Sequence, residues 1–257
     1  MGSSGQGPGF FGKLRTHGDF VSRRMAPPLR LRLDEWLQGA LLRSRQELGA
    51  LWLPAWLNGP LWRFALAPGV GAERACIGVM MPSLDRVDRA FPLVIALELE
   101  DAPSLAECIA LEDAWFGALE ALALSTLEQD FSIDVFDAAL CALGGPAAAR
   151  AYAYACTRVA ADRSDAPCGA GWFAALNDAM DADVNGAALP PLAQAALRGC
   201  SAWWTTGAPA VDPCLAVCEG LPGGAAFAAL FDGAWEARGW HAAGAWPSRP
   251  GPRPAPP

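Results

Sequence analysis

The segment Leu61–Leu99, which reads LWRFALAPGVGAERACIGVMMPSLDRVDRAFPLVIALEL, decides the fold. It contains three apolar runs of strand length, Leu61–Ala67, Ala75–Met81 and Leu93–Leu99. A Pro-Gly-Val-Gly turn separates the first two runs, and the polar stretch Pro82–Arg89 separates the last two. Short apolar runs that are joined by turn residues are typical of neighbouring antiparallel strands. The segment therefore predicts an antiparallel meander.

Further helix and strand patterns flank this meander. Leu33–Leu48 places Leu33, Leu37, Leu41 and Leu48 on one face, which predicts an amphipathic helix. Other predicted elements are helices at Leu105–Leu127, Asp134–Gly144, Ala147–Ala161 and Leu192–Arg198, a helical turn or two at Trp172–Met180, strands at Ser201–Thr206 and Cys214–Cys218, and a strand or helix start at Ala225–Leu230. Because early and late strands must meet in one sheet, and several are apolar throughout, helices should cover both faces. We predict an α/β protein, a three-layer α/β/α sandwich on a mixed, largely antiparallel sheet.

The composition restricts the classes of function. Of the 257 residues, 53% are apolar and 18% are charged, which is the composition of a folded domain. The net charge of −8 argues against nucleic-acid binding. Without an apolar run of spanning length or a signal-peptide pattern, we expect a cytoplasmic protein with no membrane insertion. The expected organisation is a flexible leader at residues 1–9, a single domain at residues 10–246 and a disordered Pro-rich tail at residues 247–257.

Neither a metal site nor a cofactor is predicted. The chain has only two histidines, His17 and His241, and its one close cysteine pair, Cys214 and Cys218, lacks C-x-x-C spacing. A phosphate-binding loop of the G-x-x-x-x-G-K-[ST] type does not occur.

A basic segment punctuated by glycines runs from Gly12 to Phe20. Its backbone N–H groups and Lys13 could hold an anion. The structural alternative is that Gly18 permits a tight turn and Asp19 caps the following one. We favour the structural interpretation, and we keep Lys13, Gly18, Asp19 and Phe20 as candidates for partner binding or loop shaping.

The polar loop between the second and third runs of the meander contains a serine, two aspartates and two arginines. In an enzyme, Ser83 or Asp85 would be the nucleophile, and Arg86 or Arg89 would stabilise an oxyanion or a phosphate. No His or Lys lies nearby in the sequence to activate Ser83, and no G-x-S-x-G motif occurs. The favoured interpretation is a connection held by bidentate Asp–Arg pairs, on which a binding surface could be built.

Two adjacent tryptophans, Trp203 and Trp204, lie in a predicted strand. Neighbouring residues of a strand point to opposite faces of the sheet, so the two rings should enter different layers. A partner-binding role is the alternative, since tryptophan is enriched at interaction hot spots.

The three motifs, in this order, resemble those of the TagF family, which is also called ImpM. The resemblance covers the chain from Gly9 to about Trp240. It rests on G-K-L-x-x-x-G-D-F from Gly12, P-S-L-D-R-V-x-R-x-F-P-L from Pro82, S-x-W-W-T-x-G from Ser201 and G-L-P from Gly220. The family pattern usually has Gly where this chain has Asp88, Pro where it has Arg15 and Arg where it has His17.

The resemblance implies a regulator with an α/β/α fold. TagF proteins are cytoplasmic accessory proteins of bacterial type VI secretion that repress assembly of the apparatus after translation. They act alongside a threonine-phosphorylation pathway, and a forkhead-associated scaffold protein is a target class. The resemblance therefore implies a non-enzymatic protein that binds a partner of the machinery, the scaffold foremost. Two alternatives stay open: a hydrolase or phosphatase-like enzyme that uses Ser83, Asp85 and Arg86, and a structural subunit of the apparatus.

Overall fold

The computed structural model describes residues 7–100, 108, 113–146, 171–175 and 199–242. Within these residues, nine strands form one sheet in the order β2-β1-β5-β4-β3-β7-β8-β6-β9. The strands are β1 Gly9–Gly12, β2 Val21–Arg23, β3 Trp62–Leu66, β4 Cys76–Met81, β5 Leu93–Glu98, β6 Gly171–Ala175, β7 Cys200–Thr205, β8 Cys214–Glu219 and β9 Trp240–Ala242. Every neighbouring pair is antiparallel except β6 and β9, which are parallel. The predicted mixed, largely antiparallel sheet is confirmed.

Helices cover both faces of the sheet. In chain order they are α1 Pro27–Leu48, α2 Trp52–Leu57, α3 Asp113–Ser125, α4 Ile133–Leu143 and α5 Ala225–Asp232, with 3-10 turns at Gly49–Leu51 and Glu236–Arg238. The first, second and fifth helices share one hydrophobic core with the sheet, and the third and fourth share a separate core on the other face. The three-layer prediction is therefore confirmed. Among the described helices, none has the length and apolar character needed to cross a bilayer.

Alternation along β3 shows how one strand serves two cores. Trp62 and Phe64 face the core of α1 and α5, whereas Ala65 faces the core of α3. Arg63 also points toward α3, where its Nε lies 2.7 Å from Glu120 Oε1. A buried guanidinium is tolerated there because helix α3 supplies its carboxylate partner.

The predicted meander is confirmed, and a late strand extends it. Strand β3 pairs with β4, and β4 pairs with β5. The other edge of β3 pairs with β7, with Arg63 opposite Trp204 and Leu66 opposite Ser201. This pairing joins the N-terminal strands to the C-terminal ones in one continuous sheet.

Several elements differ from the sequence prediction. Helix α1 begins at Pro27 and not at Leu33, because proline fits the first turn of a helix, where its missing N–H is not needed. The helical turn predicted at Trp172–Met180 is wrong for its first residues: they belong to β6, which is held between β8 and β9. The ambiguous segment from Ala225 is a helix.

Other sequence predictions lie outside the described residues. They are the helices at Ala147–Ala161 and Leu192–Arg198, residues 105–107 and 109–112 of the helix at Leu105–Leu127, leader residues 1–6 and the tail at residues 247–257. The end of the leader is described and is buried: the Pro8 carbonyl accepts a hydrogen bond from Arg24 Nη2 at 2.9 Å. The ordered region therefore begins before Phe10.

Candidate functional site

Two of the three sequence motifs meet at one end of the sheet. The 13–20 loop connects β1 to β2, and the 82–92 loop connects β4 to β5. The end of β1 and the start of β5 lie side by side, with Phe11 opposite Val94, and the end of β4 lies next to them, with Met81 opposite Leu93. Strand register therefore brings the two loops together although they are far apart in sequence.

A close backbone approach at Gly12 begins this contact. Gly12 has φ +142°, and a Cβ atom at this position would lie 2.0 Å from the Pro92 carbonyl oxygen. Only glycine allows the two loop bases to approach this closely.

The centre of the contact is an ion cluster on Asp85. Lys13 Nζ and Arg89 Nε each lie 2.7 Å from Asp85 Oδ2. The backbone N–H groups of Val87 and Arg89 donate to Oδ1, both at 2.9 Å. Burial alone would raise the pKa of the Asp85 carboxyl, but the hydrogen bonds from Lys13, Arg89 and the two backbone N–H groups outweigh it and hold that pKa well below its usual range.

This geometry corrects the predicted bidentate Asp–Arg pairs. The guanidinium of Arg89 donates to Asp85 through Nε, whereas its Nη2 donates to the carbonyl oxygen of Gly18 in the other loop. The second cation is Lys13, from 72 positions away in the chain. The cluster therefore ties the two loops to each other and does not simply shape one of them.

Ser83 ties the loops together a second time. Its hydroxyl donates to the Lys13 carbonyl oxygen at 2.8 Å. Its own carbonyl oxygen accepts hydrogen bonds from Phe91 N–H at 3.1 Å and from Trp56 Nε1 at 3.2 Å. Ser83 is buried, and these contacts hold it between the 13–20 loop and helix α2.

Lys13, which the possible anion site in the 13–20 loop would use, binds Asp85. The carbonyl oxygen of His17 accepts the Arg86 N–H at 3.0 Å. The neighbouring Arg23 and Arg24 are paired with Asp137 on helix α4. The backbone of the first loop is therefore used, in these contacts, to bind the second loop.

The tips of the two loops carry exposed apolar side chains beside exposed charged ones. Phe20 is 50% exposed and Val87 is 61% exposed. Phe20 is held in place by stacking on Phe11, by an edge contact with Phe91 at 4.8 Å between ring centroids, and by Lys13 Nζ 5.1 Å from its ring centre. Sequence reasoning missed Val87, although an apolar residue within a run of charged ones is the signal that marks it.

Arg86 and Asp19 are the remaining candidates in these loops, and both are exposed. The guanidinium of Arg86 lies across Gly18, since a Cβ atom on that glycine would be 3.5 Å from Arg86 Nη2. We refer to Phe20, Arg86 and Val87 as the loop-tip surface. It is a preorganised patch, because the buried ion cluster fixes the backbone beneath it.

The third motif lies mainly in strand β7 and not in these loops. Trp203 is buried in the core shared with α1 and α5, and Trp204 packs, half-buried, against Phe116 in the opposite core. The predicted placement on opposite faces is confirmed. Trp203 is inaccessible to a partner, so the core interpretation replaces the hot-spot one for this residue.

Comparison with known proteins identifies the family of this chain and a similar solved structure. The model of the TagF N-terminal domain, described as type VI secretion system-associated, matches residues 9–143, which is more than half of the chain. The chain belongs to the TagF family. The protein PA0076 from Pseudomonas aeruginosa PAO1, known from a crystal structure at 2.05 Å, is 36% identical. That alignment covers 88% of this chain and 94% of PA0076, with a TM-score of 0.69.

No match was found among curated proteins. TagF membership makes this chain a type VI secretion accessory protein. The matched segment contains both loops and the ion cluster but ends before β7. Asp88, at a position where the TagF pattern usually has Gly, takes a φ of +61° in the second loop.

Proposed function

We propose that this TagF-family chain is a non-enzymatic, cytoplasmic protein that represses assembly of the type VI secretion apparatus after translation. It acts by binding a protein of the machinery, and the forkhead-associated scaffold is the proposed partner. The family match supports the association with type VI secretion. The loop-tip surface supports the binding mode, because exposed apolar groups on a rigid base lose little conformational entropy when a partner covers them.

One observation carries the proposal: the catalytic candidates Ser83 and Asp85 are buried, and their polar atoms are already engaged in hydrogen bonds. Catalysis needs a nucleophile and a proton acceptor that converge on a free position about 3 Å from each. Here the Ser83 hydroxyl donates to a carbonyl, which cannot activate it as a base would. The two oxygens of Asp85 already accept four hydrogen bonds. Such residues fit a role in shaping a surface better than a role in bond cleavage.

A binding measurement tests the proposal. Phe20→Ser should weaken binding of the purified scaffold by at least tenfold, as measured by titration calorimetry, and should relieve repression of secretion in the bacterium. The matched control is Leu31→Ser on α1, because Leu31 is also exposed, at 58%, and lies near the opposite end of the sheet. Equal affinity for the Phe20 variant and the wild type would remove the loop tips from the interface.

A second variant separates the regulator from the enzyme. Ser83→Ala should fold, bind the partner and repress secretion normally if the serine has only a structural role. A folded Ser83→Ala protein that still binds its partner but fails to repress would overturn the non-enzymatic proposal. Circular dichroism and urea unfolding provide the folding control, since the loss of one buried hydrogen bond should cost about 1 kcal/mol.

A further inference from the structure

Helix α2 presents an unusual outer face beside the loop-tip surface. Its sequence, WLPAWL, contains no charged or hydroxyl side chain. Trp52 and Trp56 point inward, and their indole N–H groups donate to Ser44 Oγ at 2.8 Å and to the Ser83 carbonyl at 3.2 Å. The outward residues are leucines: Leu53 is 47% exposed and Leu57 is 51% exposed. A helix that is apolar all round is expected in a protein interior, yet this one lies at the surface.

The exposed leucines are neighbours and not isolated surface residues. Leu53 and Leu57 are four residues apart on one helix, so their side chains lie side by side. Leu51, in the 3-10 turn just before α2, is also exposed. Single exposed apolar residues are common on protein surfaces, but a contiguous group marks a site of interaction.

The leucine face is next to the loop-tip surface. Trp56, between the two leucines in sequence, donates to Ser83 of the 82–92 loop. Strand register agrees, because the segment after α2 leads into the start of β3, where Trp62 lies opposite Met80 near the end of β4. Helix α2 and both loops therefore occupy the same end of the sheet.

We propose that α2 and the loop tips form one docking surface and that its occupant is an amphipathic helix of a protein partner, with leucine-type side chains on one face and acidic side chains beside them. This inference rests on the proposed function, and it states the chemistry of the partner segment that binds this chain. The apolar face would cover Leu53, Leu57 and Val87. A carboxylate of the segment would reach Arg86.

The position of the surface selects a helix over other peptide conformations. A peptide that adds a strand must pair with β2 or β9, the two edges of the sheet, whereas this surface lies where the strands end. A proline-rich peptide docks in a groove between several exposed aromatic rings, whereas here Phe20 is exposed but the neighbouring rings of Trp52 and Trp56 are buried. An apolar ridge with spacing of four residues fits the third common mode, in which an amphipathic helix contributes its own apolar face.

Charge selects acidic side chains in the partner. The segment from Gly49 to Pro60 carries no charged residue. In the two loops the buried Lys13 and Asp85 cancel, which leaves Arg15, Arg86 and Arg89 against Asp19 and Asp88. The two loops together therefore carry one surplus positive charge in a chain whose net charge is −8. An acidic helix would be repelled by the rest of the chain and oriented toward this end.

Photo-crosslinking in the native bacterium tests the inference. A photoreactive phenylalanine analogue is placed in the full chain at position 53, 57 or 87, and at position 31 as the control. We expect the same partner segment to be joined to all three positions and to be absent from the control. An adduct at position 87 without adducts at 53 and 57 would overturn the extended surface and leave the proposed function intact. Adducts at none of the three would overturn both.

The identity of the joined protein tests the proposed function separately. Adducts at all three positions to a protein other than the forkhead-associated scaffold would keep the docking surface and reject the proposed partner. A synthetic peptide with the joined sequence should bind the wild-type chain, and Leu53→Asn should weaken that binding at least tenfold, while Leu31→Asn leaves it unchanged. A proline in the middle of the peptide should abolish binding, and equal affinity of the two peptides would reject the helix.

Discussion

Replacing Asp88 with glycine should stabilise the protein without adding a contact. Asp88 has φ +61° and donates its backbone N–H to the Asp85 carbonyl at 3.1 Å. The left-handed region costs an L-residue about 1–2 kcal/mol, with aspartate toward the lower end because its short polar side chain tolerates this conformation. The greater freedom of glycine in the unfolded chain offsets about 0.5–1 kcal/mol of that relief. The net expectation is a gain of up to about 0.5 kcal/mol in the free energy of unfolding.

Urea unfolding of three proteins gives a clear ranking. The glycine variant should be the most stable, the wild type intermediate and Asp88→Ala the least stable, because alanine keeps the steric cost and loses the tolerance of aspartate. Arg24 is the matched control, since it also has positive φ, at +55°. Its side chain binds Asp137 and the Pro8 carbonyl, so Arg24→Gly should destabilise the fold. If Asp88→Gly is less stable than the wild type, or Asp88→Ala equals it, backbone strain does not govern this position.

Three further perturbations test the cluster and the core. Because the pKa of Asp85 is lower in the folded protein than its ordinary value of 3.8, its stabilising contribution is complete above that pH and is lost as the pH falls below it. Asp85→Asn should therefore reduce stability at pH 7 and flatten the loss of stability below about pH 4, and parallel acid limbs in urea unfolding would contradict this. Val94→Asp should prevent folding, since an unpaired buried carboxylate costs several kcal/mol, and a soluble variant with an unchanged Tm would refute the position of β5. Trp203→Ala should cost about 3–5 kcal/mol and Trp204→Ala clearly less, and equal losses in urea unfolding would argue against the difference in burial.

The sequence predicted the elements whose apolar runs are long and missed those that depend on their neighbours. The meander strands have five or six residues, and their patterns are unambiguous. Strand β1, GFFG, has only two non-glycine residues, and it is extended because it lies between β2 and β5. Strand β6 contains an alanine-rich sequence that favours a helix, but its pairing with β8 and β9 overrides that propensity.

The sequence identified most residues of the candidate site, but it did not predict how the two loops contact each other. Composition alone indicated that Asp85 would pair with a nearby arginine, and Arg89 does so. The other contacts between the two loops come from the Lys13 side chain and from carbonyl oxygens of the 13–20 loop. These groups are distant from the 82–92 loop in sequence, and the pairing of β1 with β5 brings them close to it. Helix α2 was not predicted from the sequence. Its proline, Pro54, lies in the first turn, where a missing N–H costs nothing.

The pairing of β3 with β7 has a consequence for synthesis of the chain. Strand β3 leaves the ribosome roughly 135 residues before its partner, and at about 5–20 residues per second the delay is on the order of ten seconds. During that interval β3, a mostly apolar strand, has one row of backbone hydrogen-bonding groups without their final partner strand. Such an edge is a template for pairing with another nascent chain. Polysomes crowd these chains together, so the yield of native protein should depend on how fast residues 67–205 are translated and on whether a chaperone shields the edge until β7 arrives.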